Sequence, residues 1–244
     1  GDGMSDYYDT SILYLSNATG KLDNKSFSNL PELFFEPNHG QIFVHDAAYG
    51  DLDGDGDLDI FVPISDYTKT GYKFGGDEDQ CTGCTDNIPF TMLINDGEGN
   101  FEANHLIPQF DFWVEVEYDN WGNNIDQLWP TTATIGDFDN DGYGDIALGW
   151  FNPIIADRYG FSKNSSGVVY FNDGSNDWTK RQFVELPKNF FGDNGNANDM
   201  EVMDFNNDGY MDILLASTIH EPYYHSRVIQ FFQNDLGKSF VDIT

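Results

Sequence analysis

The chain of 244 residues is long enough for one large domain or two small ones, with a buried core. It carries 42 acidic residues against 11 Lys and Arg, which gives a formal net charge of −31. Nucleic acids and anionic lipids are bound through basic faces, so this balance argues against both as partners. An aromatic content of 16% argues against disorder. The carboxylates are therefore expected to surround bound cations.

Three segments of the chain nearly repeat one another. They read GDLDGDGDLDIFV from Gly50, GDFDNDGYGDIALGW from Gly136 and MDFNNDGYMDILLA from Met203. Each has the pattern D-x-[DN]-x-D-G-x-x-D and continues into a short apolar segment, which indicates a strand. We name the nine-residue segments loop A (51–59), loop B (137–145) and loop C (204–212). Asp2, Gly3 and Asp6 match the second half of the motif, so the chain is expected to begin inside a further copy.

A second element recurs after each of these loops. It reads LYLSNATGKL, MLINDGEGNF, VYFNDGSNDW and FFQNDLGKSF, an apolar run followed by Asn, Asp and Gly, which predicts a β-hairpin. The unit is then strand, acidic loop, strand, connection, strand, hairpin turn and strand. Four short strands per repeat are typical of a β-propeller blade. We predict an all-β fold, in which residues 1–244 form one propeller region. Its repeats are expected at about 1–31, 41–108, 130–187 and 198–244, with insertions at about 66–89 and 109–129.

The acidic loops have the residue types of a calcium site. Calcium takes six to eight hard oxygen ligands, and side chains at alternate positions converge when the backbone curls tightly around a glycine. The alternative is three acidic turns that bind no metal, with their carboxylates crowded together at a cost in free energy. The predicted ligands are Asp51, Asp53, Asp55, Asp57 through its carbonyl and Asp59 in loop A; Asp137, Asp139, Asp141, the Tyr143 carbonyl and Asp145 in loop B; and Asp204, Asn206, Asp208, the Tyr210 carbonyl and Asp212 in loop C. Asp2 and Asp6 would form a fourth, partial and weakly occupied site.

The segments GDFDNDGYGDIALGW and GDLDGDGDLDIFV resemble the FG-GAP/VCBS repeats of integrin-α-like β-propellers. The resemblance covers most of the chain. It implies a propeller in which calcium loops fix the first two strands of each blade, in an extracellular or cell-surface protein. Such propellers have about seven blades, so further propeller sequence or another subunit is expected to complete the ring.

The two cysteines, Cys81 and Cys84, lie in the first insertion. A redox motif would need a βαβ context and a zinc site two more ligands, and neither is found nearby. A local disulfide is the preferred interpretation, and free thiols are the alternative.

Two groups of residues are candidates for a ligand surface. Trp113, Tyr118 and Trp121 lie in the second insertion, followed by Trp129, and they fit either a glycan-stacking platform or packing between blades. His220 and His225 flank a loop that fits either sugar binding or an ordinary polar connection.

Function remains the open question at this level, because one fold serves many functions. The leading hypothesis is a non-enzymatic, calcium-stabilised extracellular module that binds a protein or a glycan on the edge opposite the metals. The alternatives are a carbohydrate-active enzyme similar to a polysaccharide lyase, and a purely structural spacer.

Overall fold

The chain is all-β, which confirms the predicted fold class at this level. The computed structural model describes residues 14–16, 19–24, 29–30, 43–44, 46–66, 90–104, 128–151, 153–219 and 226–244, and the statements below concern these residues. Short 3-10 helices lie at Pro153–Tyr159 and Gly192–Asn194. The strands are β1 (Tyr14–Ser16), β2 (Leu22–Asn24), β3 (Phe43–Val44), β4 (Ala48–Gly50), β5 (Asp59–Asp66), β6 (Phe90–Asn95), β7 (Phe101–Asn104), β8 (Trp129–Gly136), β9 (Asp145–Phe151), β10 (Gly167–Tyr170), β11 (Phe183–Glu185), β12 (Gly195–Met203), β13 (Asp212–Ile219), β14 (Arg227–Asn234) and β15 (Phe240–Asp242).

These strands form a short ribbon and three larger antiparallel sheets. Sheet 1 is β1 with β2, sheet 3 is β8 to β11 in chain order, and sheet 4 is β12 to β15 in chain order. In sheet 2, β3 and β4 pair with successive parts of β5 and together take the place of one first strand, followed by β6 and β7. Each larger sheet therefore has four strand positions in a simple up-and-down order. This arrangement is consistent with propeller blades.

Successive sheets pack face to face, and the hydrophobic core lies between them. Consecutive residues of β9 show this, because Ile146 and Leu148 belong to the core shared with sheet 2. Ala147 points the other way, into the core shared with sheet 4. Side chains alternate between the faces of a strand, so a strand buried on both faces has a continuous apolar sequence. This explains why the segment after each acidic loop is apolar without alternation.

Polar contacts also join neighbouring sheets at the ends of the strands far from the acidic loops. The hydroxyl of Thr132 and the backbone N–H of Ala133 donate to one oxygen of Asp46, at 2.7 and 3.1 Å. The hydroxyl of Thr131 donates to the carbonyl of Ala197 at 2.7 Å. Sheet 3 is thus joined to sheet 2 and to sheet 4 by buried or half-buried hydrogen bonds.

The four-strand order decides which connections share an edge. Because the strands are antiparallel, the turn between the first and second strands and the turn between the third and fourth strands lie at the same end of the strands. We call this end of the sheets the loop edge, because loops A, B and C lie there. Connections between second and third strands begin and end at the opposite edge, which we call the far edge. None of the described helices has the length and apolar character needed to cross a membrane.

We expect the core between sheets 3 and 4 to carry much of the stability. Phe138 is fully buried there and packs edge-to-face on Phe240. Phe138→Ala should lower the free energy of unfolding by about 3–5 kcal/mol, measured by chemical denaturation. Phe190→Ala is the matched control, because Phe190 is 60% exposed, and its loss should stay within about 0.5 kcal/mol. Similar losses for both variants would contradict this placement of the core.

Candidate metal centres at the loop edge

The three acidic loops share one backbone conformation. The fourth position has a positive φ in each loop, at Gly54 (80°), Asn140 (63°) and Asn207 (57°). The sixth position is a glycine with φ of 92–98° in each, at Gly56, Gly142 and Gly209. Glycine and asparagine are the residues that adopt this left-handed region most readily. The motif therefore repeats because the same tight curl is built three times.

The first aspartate of each loop holds that curl closed. Asp51 accepts hydrogen bonds from the backbone N–H groups of Gly54 (2.7 Å) and Gly56 (3.0 Å). Asp137 likewise accepts from Asp141 and Gly142 at 3.1 and 3.0 Å. In loop C, Asp204 accepts from Asp208 and Gly209 at 3.1 and 3.0 Å. These bonds turn the side chains of alternate positions toward the inside of the curl.

The carboxylates meet in two of the three loops. Asp51, Asp53 and Asp55 bring carboxylate oxygens within 4.8 Å of one another in loop A. Asp137, Asp139 and Asp145 do the same in loop B. Each triad can hold a metal ion. Loop C has an amide at its third position, and Asn206 donates to Asp208 at 2.8 Å, so this loop offers one carboxylate fewer.

The ninth position is the most buried part of each loop. The aspartates there, Asp59, Asp145 and Asp212, are all 0% exposed. Both oxygens of Asp145 accept backbone hydrogen bonds, from Phe138 at 2.8 Å and from Asn172 at 2.7 Å. Phe138 is the second residue of loop B, whereas Asn172 begins the hairpin turn after β10. The buried carboxylate thus ties the acidic loop to the hairpin turn of the same sheet.

The same pair of bonds is present in the other two sheets. Asp59 accepts from Leu52 (2.7 Å) and Asn95 (2.9 Å). Asp212 accepts from Phe205 (3.2 Å) and Asn234 (2.8 Å). The sequence predicted only a ligand role for the ninth aspartate. Each carboxylate oxygen has two lone pairs, so these bonds leave capacity for a cation.

Burial changes the acid–base behaviour of these groups. Burial raises the pKa of Asp145 to about 7, against the lowering effect of the two backbone hydrogen bonds. Burial also raises the pKa values of Asp59 and Asp212. The pKa values of Asp53 and Asp139 are raised by burial first and then by neighbouring carboxylates. A cation bound by these carboxylates would lower their pKa values again, because positive charge favours the ionised carboxylate.

The turn asparagines are the residues that sequence reasoning missed. Asn95, Asn172 and Asn234 were interpreted only as turn formers, whereas the structure makes each a partner of the buried aspartate. One sequence signal was available, because an asparagine begins the turn cluster in all four hairpin segments, at Asn17, Asn95, Asn172 and Asn234. A turn needs no fixed residue at that place, so the recurrence pointed to a further role.

Several predicted site residues lie outside the described residues. This applies to the partial loop at Asp2 and Asp6, to Cys81 and Cys84, and to the candidate ligand residues Trp113, Tyr118, Trp121, His220 and His225. These predictions stay predictions. Trp129 is the first residue of β8, so it belongs to a strand of sheet 3.

No protein-family model matches the chain, and neither does any curated protein. The resemblance to FG-GAP/VCBS repeats therefore rests on the loop motifs and on the repeated sheets.

The raised pKa of Asp145 predicts a pH effect on stability when a chelator removes metal ions. The folded pKa of about 7 exceeds the ordinary value of 3.8 expected in the unfolded chain. Protonation therefore favours the folded chain, and this stabilisation is lost as the pH rises through 7. In a chelator, the melting temperature should be higher at pH 6 than at pH 8. Asp145→Asn removes this titration and should show a smaller difference, and equal differences in both proteins would refute the assignment.

Proposed function

We propose that the protein is a calcium-stabilised binding module of the FG-GAP/VCBS propeller type. The observation that carries this proposal is the threefold repetition of one loop with the same curl and the same buried aspartate, together with the carboxylate triads of loops A and B. Carboxylate and carbonyl oxygens in a flexible loop suit Ca²⁺, whereas Mg²⁺ prefers fewer protein ligands and keeps its waters. Calcium has a structural role here, because each loop joins two strands of one sheet.

An extracellular or cell-surface location follows from the chemistry of such sites. Extracellular calcium modules bind with dissociation constants of about 10⁻⁴–10⁻³ M, which suits loops at the surface of a sheet. The net charge of −31 also attracts cations to the protein surface.

Ligand recognition is assigned to the far edge. The connections between second and third strands begin and end there, and they range from 220–226 after β13 to 152–166 after β9 and 67–89 after β5. A groove with a volume of about 580 Å³ lies at this edge of sheet 4. Arg227, Thr218 and Asn198 supply its polar groups, and Ala216, Val228 and Ile229 supply apolar surface. A protein or a glycan is the class of ligand that such a mixed surface suits.

The outer face of sheet 4 supports the proposal that more β-structure completes the assembly. Phe231 lies three residues before the turn asparagine, as Met92 and Val169 do in sheets 2 and 3. Those two side chains are fully buried against neighbouring sheets, whereas Phe231 is 37% exposed. Further propeller sequence or another subunit would cover this face around Phe231 and leave the groove at the far edge open.

Calcium should raise the melting temperature, because it binds the folded loops in preference to the unfolded chain. Asp55→Ala and Asp141→Ala should reduce this gain more than Asp57→Ala, since Asp57 ligates through a carbonyl that alanine retains. The measurement is differential scanning calorimetry in a chelator, in millimolar calcium and in millimolar magnesium. An unchanged melt in calcium would refute the metal sites, and equal effects of the three variants would refute the ligand assignment.

A ligand at the far edge predicts a different set of sensitive residues. Binding to a printed glycan array, in calcium, should be lost or at least tenfold weaker in Arg227→Ala and in Trp121→Ala. Asp235→Asn changes an exposed carboxylate at the loop edge and should bind normally. Loss of binding in Asp235→Asn alone would place recognition at the loop edge, and absence of binding by the unmodified protein would favour the spacer hypothesis.

A further inference from the structure

One buried side chain joins loops A and B. The amide nitrogen of Asn172 donates to the carbonyl of Leu52 in loop A at 2.9 Å and to the carbonyl of Gly144 in loop B at 3.0 Å. Asn172 is 2% exposed. Its backbone N–H also donates to Asp145, so the residue holds its own loop at two places. The two amide bonds fix the separation of the two acidic loops.

Asn234 makes the same connection at the next junction. Its amide nitrogen donates to the carbonyl of Phe138 in loop B at 2.8 Å and to the carbonyl of Met211 in loop C at 2.9 Å. In both cases the acceptors are the second residue of the preceding loop and the eighth residue of the same sheet's loop. Asn234 is 1% exposed. The repetition shows that the link is a built feature of the junctions between these sheets.

The linked peptide groups are those that position the metal ligands. The N–H of Leu52 donates to Asp59 while its carbonyl accepts from Asn172, so one residue joins the buried aspartate of loop A to sheet 3. A second bond runs in parallel, because the N–H of Gly144 donates to the carbonyl of Asp51 at 3.2 Å. Buried polar groups that lose their hydrogen-bond partners cost free energy, so one loop cannot shift without disturbing the other.

We propose that Asn172 and Asn234 couple cation binding between neighbouring loops. A cation in loop B fixes Asp145 and the turn that carries Asn172, and the amide of Asn172 then holds the backbone of loop A in its ligating conformation. The coupling is reciprocal, so a cation in loop A tightens loop B by the same factor. This inference rests on the proposed calcium binding. The asparagines are positioning residues and contribute no ligand atom.

Loops A and C serve as the control pair for the coupling between neighbouring loops. Loops A and B share the bonds of Asn172, and loops B and C share those of Asn234 together with a bond from Asn140 to the carbonyl of Gly209 at 3.0 Å. Among the described hydrogen bonds, none joins loop A to loop C. Coupling is therefore expected for A with B and for B with C, whereas loop C can affect loop A only weakly and through loop B.

The test is a set of calcium titrations by isothermal calorimetry. Loop B is disabled by Asp139→Asn and loop C by Asp208→Asn. Asparagine removes the charge but keeps one side-chain oxygen, which can accept the backbone hydrogen bond from Asp141 in loop B and from Tyr210 in loop C. Disabling loop B should weaken calcium binding at loop A about fivefold. Disabling loop C should weaken calcium binding at loop A by much less than fivefold, because its effect reaches loop A only through loop B. In an Asn172→Ala background, the effect of loop B on loop A should disappear.

Each outcome decides the matter. Absence of calcium binding by the unmodified chain overturns the proposed function and this inference with it. Calcium binding with independent loops A and B overturns the inference alone, as does equal coupling of loop A to loops B and C. If Asn172→Ala fails to fold, the comparison of the A–B and A–C pairs in the otherwise unmodified chain still decides, and Asn234→Ala tests the second junction.

Discussion

The buried aspartate at the ninth position of each acidic loop is the interaction on which the loop edge depends. Its carboxylate is removed from water, which costs free energy unless hydrogen bonds or positive charge replace the lost hydration. Two backbone N–H groups supply part of that replacement, one from the acidic loop and one from the hairpin turn. Bonds from N–H groups to an ionised carboxylate are stronger than neutral ones. A cation held by the neighbouring carboxylates would complete the compensation, so metal binding would contribute to the same local energy balance as strand pairing.

The sequence contained the parts of this arrangement that are local. Glycine at the sixth position predicted a tight curl, and this position has a positive φ in all three loops, as does the fourth. The apolar run after each loop predicted a strand, and β5, β9 and β13 begin at the ninth aspartate. These features were predictable because backbone conformation and side-chain alternation depend on residues close together in the chain.

The non-local parts could not be predicted from the motif. Asp59 and Asn95 are 36 residues apart, Asp145 and Asn172 are 27 apart, and Asp212 and Asn234 are 22 apart. The connections between second and third strands vary in length, so no fixed spacing marks these pairs. The division of the first strand of sheet 2 into β3 and β4 is equally non-local, because the break is visible only in the pairing with β5. The link from Asn172 to Leu52 spans two sheets and needs the packing of one sheet on the next.

The up-and-down order of four strands places the acidic loops and the connections between second and third strands at opposite ends of the strands. At the loop edge, buried hydrogen bonds join the acidic loops to the hairpin turns, even in sheet 3, where the connection between the third and fourth strands is longer, at 171–182. At the far edge, sheets 2, 3 and 4 accept connections of very different lengths without changing the strand pairing. Long connections cost little free energy, since loop-closure entropy grows only slowly with length. The connections at the far edge can therefore differ in length from sheet to sheet while the hydrogen bonds of the loop edge stay the same.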